Sequence, residues 1–185
     1  MILILMTSRS GSSLVAKIFA AHGFDAGEEK VFSCGYETFE NAAVNRWIDK
    51  TKPKMRKSTG VPCQYIPGVE ELVTENSLVK TAMEYAGVFE NLQPKIVLVK
   101  RNVESIIASV TAKRGEGKKR ISASSIQMRM LGMERMRQEK GGAWVDTDAL
   151  VAGDMSSIRA AFEYHGIAFD EDKARACVER DKWSH

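Results

Sequence analysis

Cysteine, proline and histidine are all scarce, numbering three, four and three among 185 residues. Cys34, Cys63 and Cys177 are odd in number, far apart and free of CxxC spacing. That argues against a disulfide framework and a cysteine zinc site, and it fits a reducing, cytoplasmic compartment. No apolar run approaches the roughly 18 residues that cross a bilayer. Residues 1–6 are apolar but enter Thr7-Ser8-Arg9 without a basic leader, so neither a targeting segment nor a membrane partner is expected. An excess of one charge is missing too: Lys plus Arg number 27 against 24 for Asp plus Glu, a net +3. Bulk charge of that size implies no nucleic-acid partner. The GxxxxGK[ST] loop of nucleoside triphosphatases occurs nowhere, and neither does the GxGxxG fingerprint of dinucleotide-binding folds, which disfavours both classes.

What is present is an ordinary folding mixture, 44% hydrophobic and 28% charged, of a length expected to form a single domain over residues 1–185. Ile2 to Met6 is an uninterrupted apolar run ending in a polar, glycine-bearing turn, the pattern of a strand buried on both faces. Leu14, Val15, Ile18, Phe19 and His22 follow at helical spacing, with Gly23 as a stop. Further short strands are expected at 31–34, 77–80, 95–100 and 143–147. Helices are expected from Phe39 toward Lys50, over 83–92, after Arg101, over 122–140 and in two C-terminal pieces. In the third of these, Val103, Ile106, Ile107 and Val110 keep the i, i+3, i+4, i+7 rule. Residues 50–68 hold Pro53, Pro62, Pro67 and a lysine-rich cluster, and read as an irregular basic excursion. Strands alternating with helices imply an α/β fold: three layers, α/β/α, around a central and mostly parallel sheet of about five strands.

Two turns carry chemistry. Ser8-Arg9-Ser10-Gly11-Ser12-Ser13 joins a buried strand to a helix, where free backbone N–H groups and the helix dipole favour an anion. A lone serine there would be a helix cap. Arg9 and Gly11 beside three serines favour an anion site, with Gly11 admitting close backbone approach and Arg9 supplying a planar donor fork. The second turn follows the strand at 95–100. Arg101 stands at its end, and Ser109, just over two helical turns on, falls on the side of Asn102 and Ser105. Both can face the C-terminal edge of the sheet, where open α/β sheets bind ligands. Taken singly, Arg101 could be a surface charge, and Ser109 a serine bonded back to its own helix.

The segment LMTSRSGSSLVAKIFA resembles the 5′-phosphosulfate loop of sulfotransferases that use 3′-phosphoadenosine 5′-phosphosulfate (PAPS), notably the carbohydrate sulfotransferases whose loop reads RSGSS. IVLVKRNVESIIASV is similar to the family's second element, a strand followed by an Arg and, eight residues later, a Ser. This resemblance implies the P-loop-like sulfotransferase fold. It implies PAPS as donor and adenosine 3′,5′-bisphosphate as product, with no metal required. Arg9, Ser10, Gly11, Ser12 and Ser13 would hold the 5′ end, and Arg101 and Ser109 the 3′-phosphate. Arg9 would also stabilise the transferring group. Gly35-Tyr36-Glu37-Thr38-Phe39-Glu40-Asn41 resembles a segment carrying a glutamate base in heparan-modifying relatives, making Glu40 the first candidate base and Glu37 the second. The alternative is that both are solvated glutamates in the first turn of a helix. Lys80-Thr81-Ala82-Met83 departs from the Lys-Asp-Pro-Arg of bacterial relatives, which leaves the role of Lys80 open.

The acceptor is unspecified by sequence; a glycan is one candidate, its collection aided by the basic stretches 50–57 and 113–120. Other readings of the same turns are a small nucleotide or nucleoside kinase and a non-catalytic nucleotide-binding module. His22 and His165 sit on apolar helical stripes and read as packing residues. Met128, Met130, Met133 and Met136 read as core filler or a homodimer face.

Overall fold

The computed structural model describes residues 1–27, 41–56, 67–114 and 122–182. Its strands are β1 (Ile2–Met6), β2 (Leu78–Ala82), β3 (Lys95–Lys100) and β4 (Ala143–Asp146). Its helices are α1 (Ser12–Ala21), α2 (Ala42–Arg56), α3 (Val103–Arg114), α4 (Ala123–Lys140), α5 (Thr147–Val151), α6 (Ser156–Tyr164) and α7 (Glu171–Lys182). The strands form one sheet in the order β2-β1-β3-β4, every pair parallel. The chain is therefore α/β as expected. Four of the five expected strands are in this sheet, and the fifth, at 31–34, lies outside the described residues. Among the described residues no helix is long and apolar enough to cross a membrane.

Each strand feeds two cores because side chains alternate across a sheet. Ile2, Ile4, Val97, Val99 and Val145 join α1, α6 and α7 on one face, where Phe19 and Phe162 stack at 4.4 Å between ring centroids. Leu3, Leu5, Val79 and Leu98 join Val44 and Ile48 of α2, Phe89 and Met133 of α4 on the other. That gives the three expected layers. A small third cluster seals α3 to α4 through Ile106, Val110 and Ile126, fulfilling the periodicity seen in the sequence. His22 packs as expected, its Nδ1 bonded to the Ile18 carbonyl and its Nε2 accepting from the Asp170 N–H. Met130, Met133 and Met136 pack into the core, whereas Met128 is exposed.

One helix is wound differently from the α type, and two elements end elsewhere than expected. The helix expected over 83–92 is present with those bounds, Met83–Leu92, and is wound as a 3-10 helix. Met83, Ala86, Phe89 and Leu92 lie at the three-residue period at which 3-10 side chains align, and Tyr85 and Val88 of the same element join them in the core. Helix α2 continues to Arg56, so the expected irregular excursion is shorter at its start; residues 57–66 lie outside the described residues. Strand β4 stops at Asp146 because the Asp146 carboxylate accepts from the Asp148 and Ala149 N–H groups, at 3.1 and 3.2 Å, and so starts α5.

The turn between β1 and α1 is bent by two left-handed residues, Arg9 at φ 64° and Gly11 at φ 80°. A Cβ on Gly11 would stand 2.9 Å from that of Thr147 at the start of α5, closer than side chains pack. Glycine is thus required here by backbone angle and by contact together, whereas Gly23, at φ 95°, has open space around it. Gly23→Ala is expected to lower unfolding free energy by about 1–2 kcal/mol, the cost of the left-handed angle alone. Gly11→Ala should add a further ~1–3 kcal/mol for overpacking, measured as the difference between the two in chemical denaturation.

Helix α4 is tied to β4 by the Glu134 carboxylate, which accepts from Trp144 Nε1 at 2.8 Å as well as from Arg137 and Gln138. Hydrogen bonds from Arg137 and Trp144 lower its pKa to about 2 from 4.5. A depressed carboxylate pKa stabilises the fold above the unfolded value and loses that contribution as pH falls through the folded value. Glu134→Gln is therefore expected to flatten the acid limb of a stability-versus-pH curve between about 4.5 and 2, leaving the neutral-to-alkaline limb in shape unchanged.

Candidate functional site

All of the ends that matter meet at one edge. In the order β2-β1-β3-β4 the chain leaves β1 for β2 on one side and returns to β3 on the other, so the switch point lies between β1 and β3. Loops after such neighbouring strands open a crevice at the C-terminal edge of the sheet. The Arg9 turn follows β1 and Arg101 follows β3, which places them side by side.

In that first turn the serines do not cap α1. Its N-cap is Gly11, with no side-chain cap bond. Among the described residues, no acceptor engages the N–H groups of Gly11, Ser12 and Ser13; the first bonded amides are Leu14 and Val15, both to the Gly11 carbonyl. Successive unpaired amides at a helix start form an anion-attracting surface. Ser10 is buried, and its Oγ has no hydrogen-bond partner among the described residues. A buried hydroxyl of that kind requires a partner of its own. The Ser12 hydroxyl, by contrast, donates to Met6 Sδ at 2.8 Å, so Ser12 offers the turn its backbone N–H rather than its hydroxyl. Gly11, too, has a purpose beyond that expected, since its Cβ direction is filled by Thr147.

Lys80 is the residue that sequence reasoning left open. It is 4% exposed on β2, and its Nζ donates to Ser13 Oγ at 2.9 Å. A lysine buried at the first turn of a helix whose end has no acidic residue brings a positive charge to the amides of Gly11 to Ser13. The signal was present in the sequence: a lysine inside an apolar strand, LVKTA, is out of pattern unless it serves something.

The second turn reaches the first directly. Arg9 Nε donates to Ser109 Oγ at 2.9 Å, and Arg101 donates from NH1 to the Arg9 carbonyl at 3.3 Å. Ser109 Oγ therefore has a partner outside its own helix, and no bond from it back to that helix occurs among the described residues. Arg101 is held from behind by Asp148, its Nε 3.1 Å from Oδ1. Asn102 caps α3, its Oδ1 accepting from the Glu104 and Ser105 amides at 2.8 and 3.3 Å. The structure brings Arg9, Ser10, Gly11, Ser12, Ser13, Arg101 and Ser109 to one place. Glu37 and Glu40 lie outside the described residues. Helix α2 begins after both, at Ala42, with the Asn41 side chain accepting from the Val44 amide and no acidic residue in its first turn.

Cations therefore converge from three strands, Arg9 after β1, Lys80 on β2 and Arg101 after β3, around amides and a hydroxyl that have no partner among the described residues. Such a set can bind an extended ligand with more than one anionic group. No protein-family model and no curated protein matches the chain. Among solved structures, the chain is similar to mouse sulfotransferase SULT7A1 complexed with PAP, at a TM-score of 0.43 and 13% sequence identity, covering 94% of this chain and 70% of that chain.

Proposed function

We propose that the protein is a sulfotransferase that moves a sulfuryl group from PAPS to an acceptor hydroxyl or amine, releasing adenosine 3′,5′-bisphosphate. The observation that carries this reading is the Arg9–Ser109 bond of 2.9 Å, because it joins the two family-like motifs across 100 residues of sequence. Two anion elements in contact suit a donor with phosphate groups at both ends of one nucleoside. The single-motif alternatives, a helix cap for the serines and a helix-bonded Ser109, lack support in the hydrogen-bond pattern.

In this reading the amides of Gly11 to Ser13, the Ser10 hydroxyl and Lys80 face the 5′ end of the donor. The transferring sulfur exchanges its bond to the 5′-phosphate oxygen for one to the acceptor oxygen or nitrogen. Negative charge grows on the leaving phosphate, and donors fixed beforehand stabilise it without reorganising. Arg9 adds charge at the same turn. Arg101 and Ser109 bind the 3′-phosphate, Ser109 exchanging its bond from Arg9 for one to the ligand. Glu40, or Glu37, takes the acceptor proton. The acceptor is a hydroxyl- or amine-bearing molecule, with a glycan as the candidate to test first.

Thermal shift separates this reading from a kinase. Adenosine 3′,5′-bisphosphate at 100 times its Kd should stabilise by about 2.7 kcal/mol, a rise in Tm of roughly 5–10 °C for a chain of this size. ATP with magnesium should give less; the reverse order sinks the proposal. Arg101→Ala should abolish the preference for the bisphosphate over adenosine 5′-monophosphate. Lys80→Met should weaken both nucleotides alike, and in turnover assays lower kcat by about 10²–10³, the effect of losing one transition-state donor.

Turnover distinguishes an enzyme from a binding module. With PAPS and a panel of acceptors, Glu40→Ala should keep nucleotide affinity and lose product formation by about 10²–10⁴. Full activity in both Glu40→Ala and Glu37→Ala removes the glutamate base from the mechanism.

A further inference from the structure

The turn between β4 and α5 touches both halves of the site. The Thr147 hydroxyl lies 2.7 Å from the Ser10 carbonyl and 3.1 Å from the Lys100 carbonyl, a single proton tying the β1 turn to the end of β3. The next residue, Asp148, uses both of its carboxylate oxygens. Oδ1 accepts from Arg101 Nε at 3.1 Å, and Oδ2 accepts from the Asn102 backbone amide at 2.7 Å. Asp148 is itself held, its own amide donating to the Asp146 carboxylate.

We infer that Asp148 is a positioning residue for Arg101, fixing the guanidinium so that its terminal NH1–NH2 edge, and not its Nε side, meets an anion. The inference rests on the reading that Arg101 binds the 3′-phosphate. An arginine can grip a phosphate through either edge of its planar fork. Here the Nε side is occupied by Asp148, and NH1 makes one bond to the Arg9 carbonyl. The remaining donors on that terminal edge have no acceptor among the described residues. Charge alone runs the other way, since a carboxylate beside an anion site repels the anion. Nor does stability explain it, because the pair is partly exposed, at 32% and 38%, and ion pairs of that kind contribute little. Orientation is what the bridge supplies: Oδ2 is pinned to the backbone of the residue after Arg101, and Oδ1 therefore sets where the side chain of Arg101 points.

Asp148→Asn keeps the shape of the side chain but leaves one acceptor oxygen where there were two. Its amide then faces the N–H of either Arg101 or Asn102, donor against donor. Asp148→Ala removes both acceptors without that clash and serves as the second variant. Affinities for adenosine 3′,5′-bisphosphate and adenosine 5′-monophosphate are measured by calorimetry on the parent chain, on both variants, on Arg101→Ala and on the double variant. The parent should prefer the bisphosphate, and each Asp148 variant should reduce that preference by about tenfold, the middle of the range for neighbours in contact. In the Arg101→Ala background the same changes should reduce it no further. An unchanged ratio overturns the inference, whether both nucleotides bind more tightly, as for a repelling charge, or both more weakly with a lower Tm, as for a structural brace.

A parent without preference overturns the proposed function itself. A readout free of nucleotide then judges Asp148 alone: the Arg101 Nε–H nuclear magnetic resonance signal should be slow to exchange in the parent and fast in Asp148→Asn. Equal protection in the two overturns the positioning role.

Discussion

Parallel pairing of β1 with β3 is the constraint on which everything at the site depends. Ile2 lies opposite Lys95 and Leu5 opposite Leu98, so the two strands end near one level. The chain beyond each must then turn in the same narrow space. Were β2 to lie between them, the Arg9 turn and Arg101 would be separated by roughly a further 4.8 Å, the spacing of one strand. The bonds between Arg9, Arg101 and Ser109 would then not form. The crossover from β1 to β2 and back past β1 is what leaves those two strands as neighbours.

Local cost concentrates where the pairing places it. Arg9 holds a left-handed backbone angle that a side-chain-bearing residue rarely adopts, and Ser10 buries a hydroxyl that has no partner among the described residues. Each of these works against the folded state, by about 1–3 kcal/mol for the backbone angle alone. They persist because two apolar clusters, one on each face of the sheet, over-determine the strands that hold them. Thr147 completes that support from the far side. It fills the direction in which Gly11 lacks a side chain and fastens Ser10 to Lys100.

Much of this was legible in the sequence. Continuous apolar runs announced β1 and β3, and i, i+3, i+4 spacing announced α1 and α3, because in each a local pattern has one main physical solution; the serine-glycine turn was legible as the bend that joins β1 to α1. The rest depends on contacts between distant segments. The stretch Met83–Leu92 was read as a helix, but its 3-10 winding was not legible, since periods of three and 3.6 differ little over ten residues. Asp146 was read as the inside of a strand, although the same letters spell a helix cap. Lys80 was visible as an anomaly, but nothing local shows that β2 lies next to β1 and so lays its amine against Ser13. The Asp148 bridge is beyond sequence reading altogether, because its partners lie 46 and 47 residues away.

Strand β1 is only five residues long, yet alternate members of it serve opposite cores and its last residue leads into the turn that carries Arg9 and Gly11. Inserting or deleting one residue within it would exchange Ile2 and Ile4 with Leu3 and Leu5 between the two faces and rotate the entry to the turn in the same stroke. Variation in length must consequently fall in the connections between elements, where loop closure costs little. The strand Ile2–Met6 behaves as a ruler whose markings can be repainted, one apolar residue for another, but whose length cannot change.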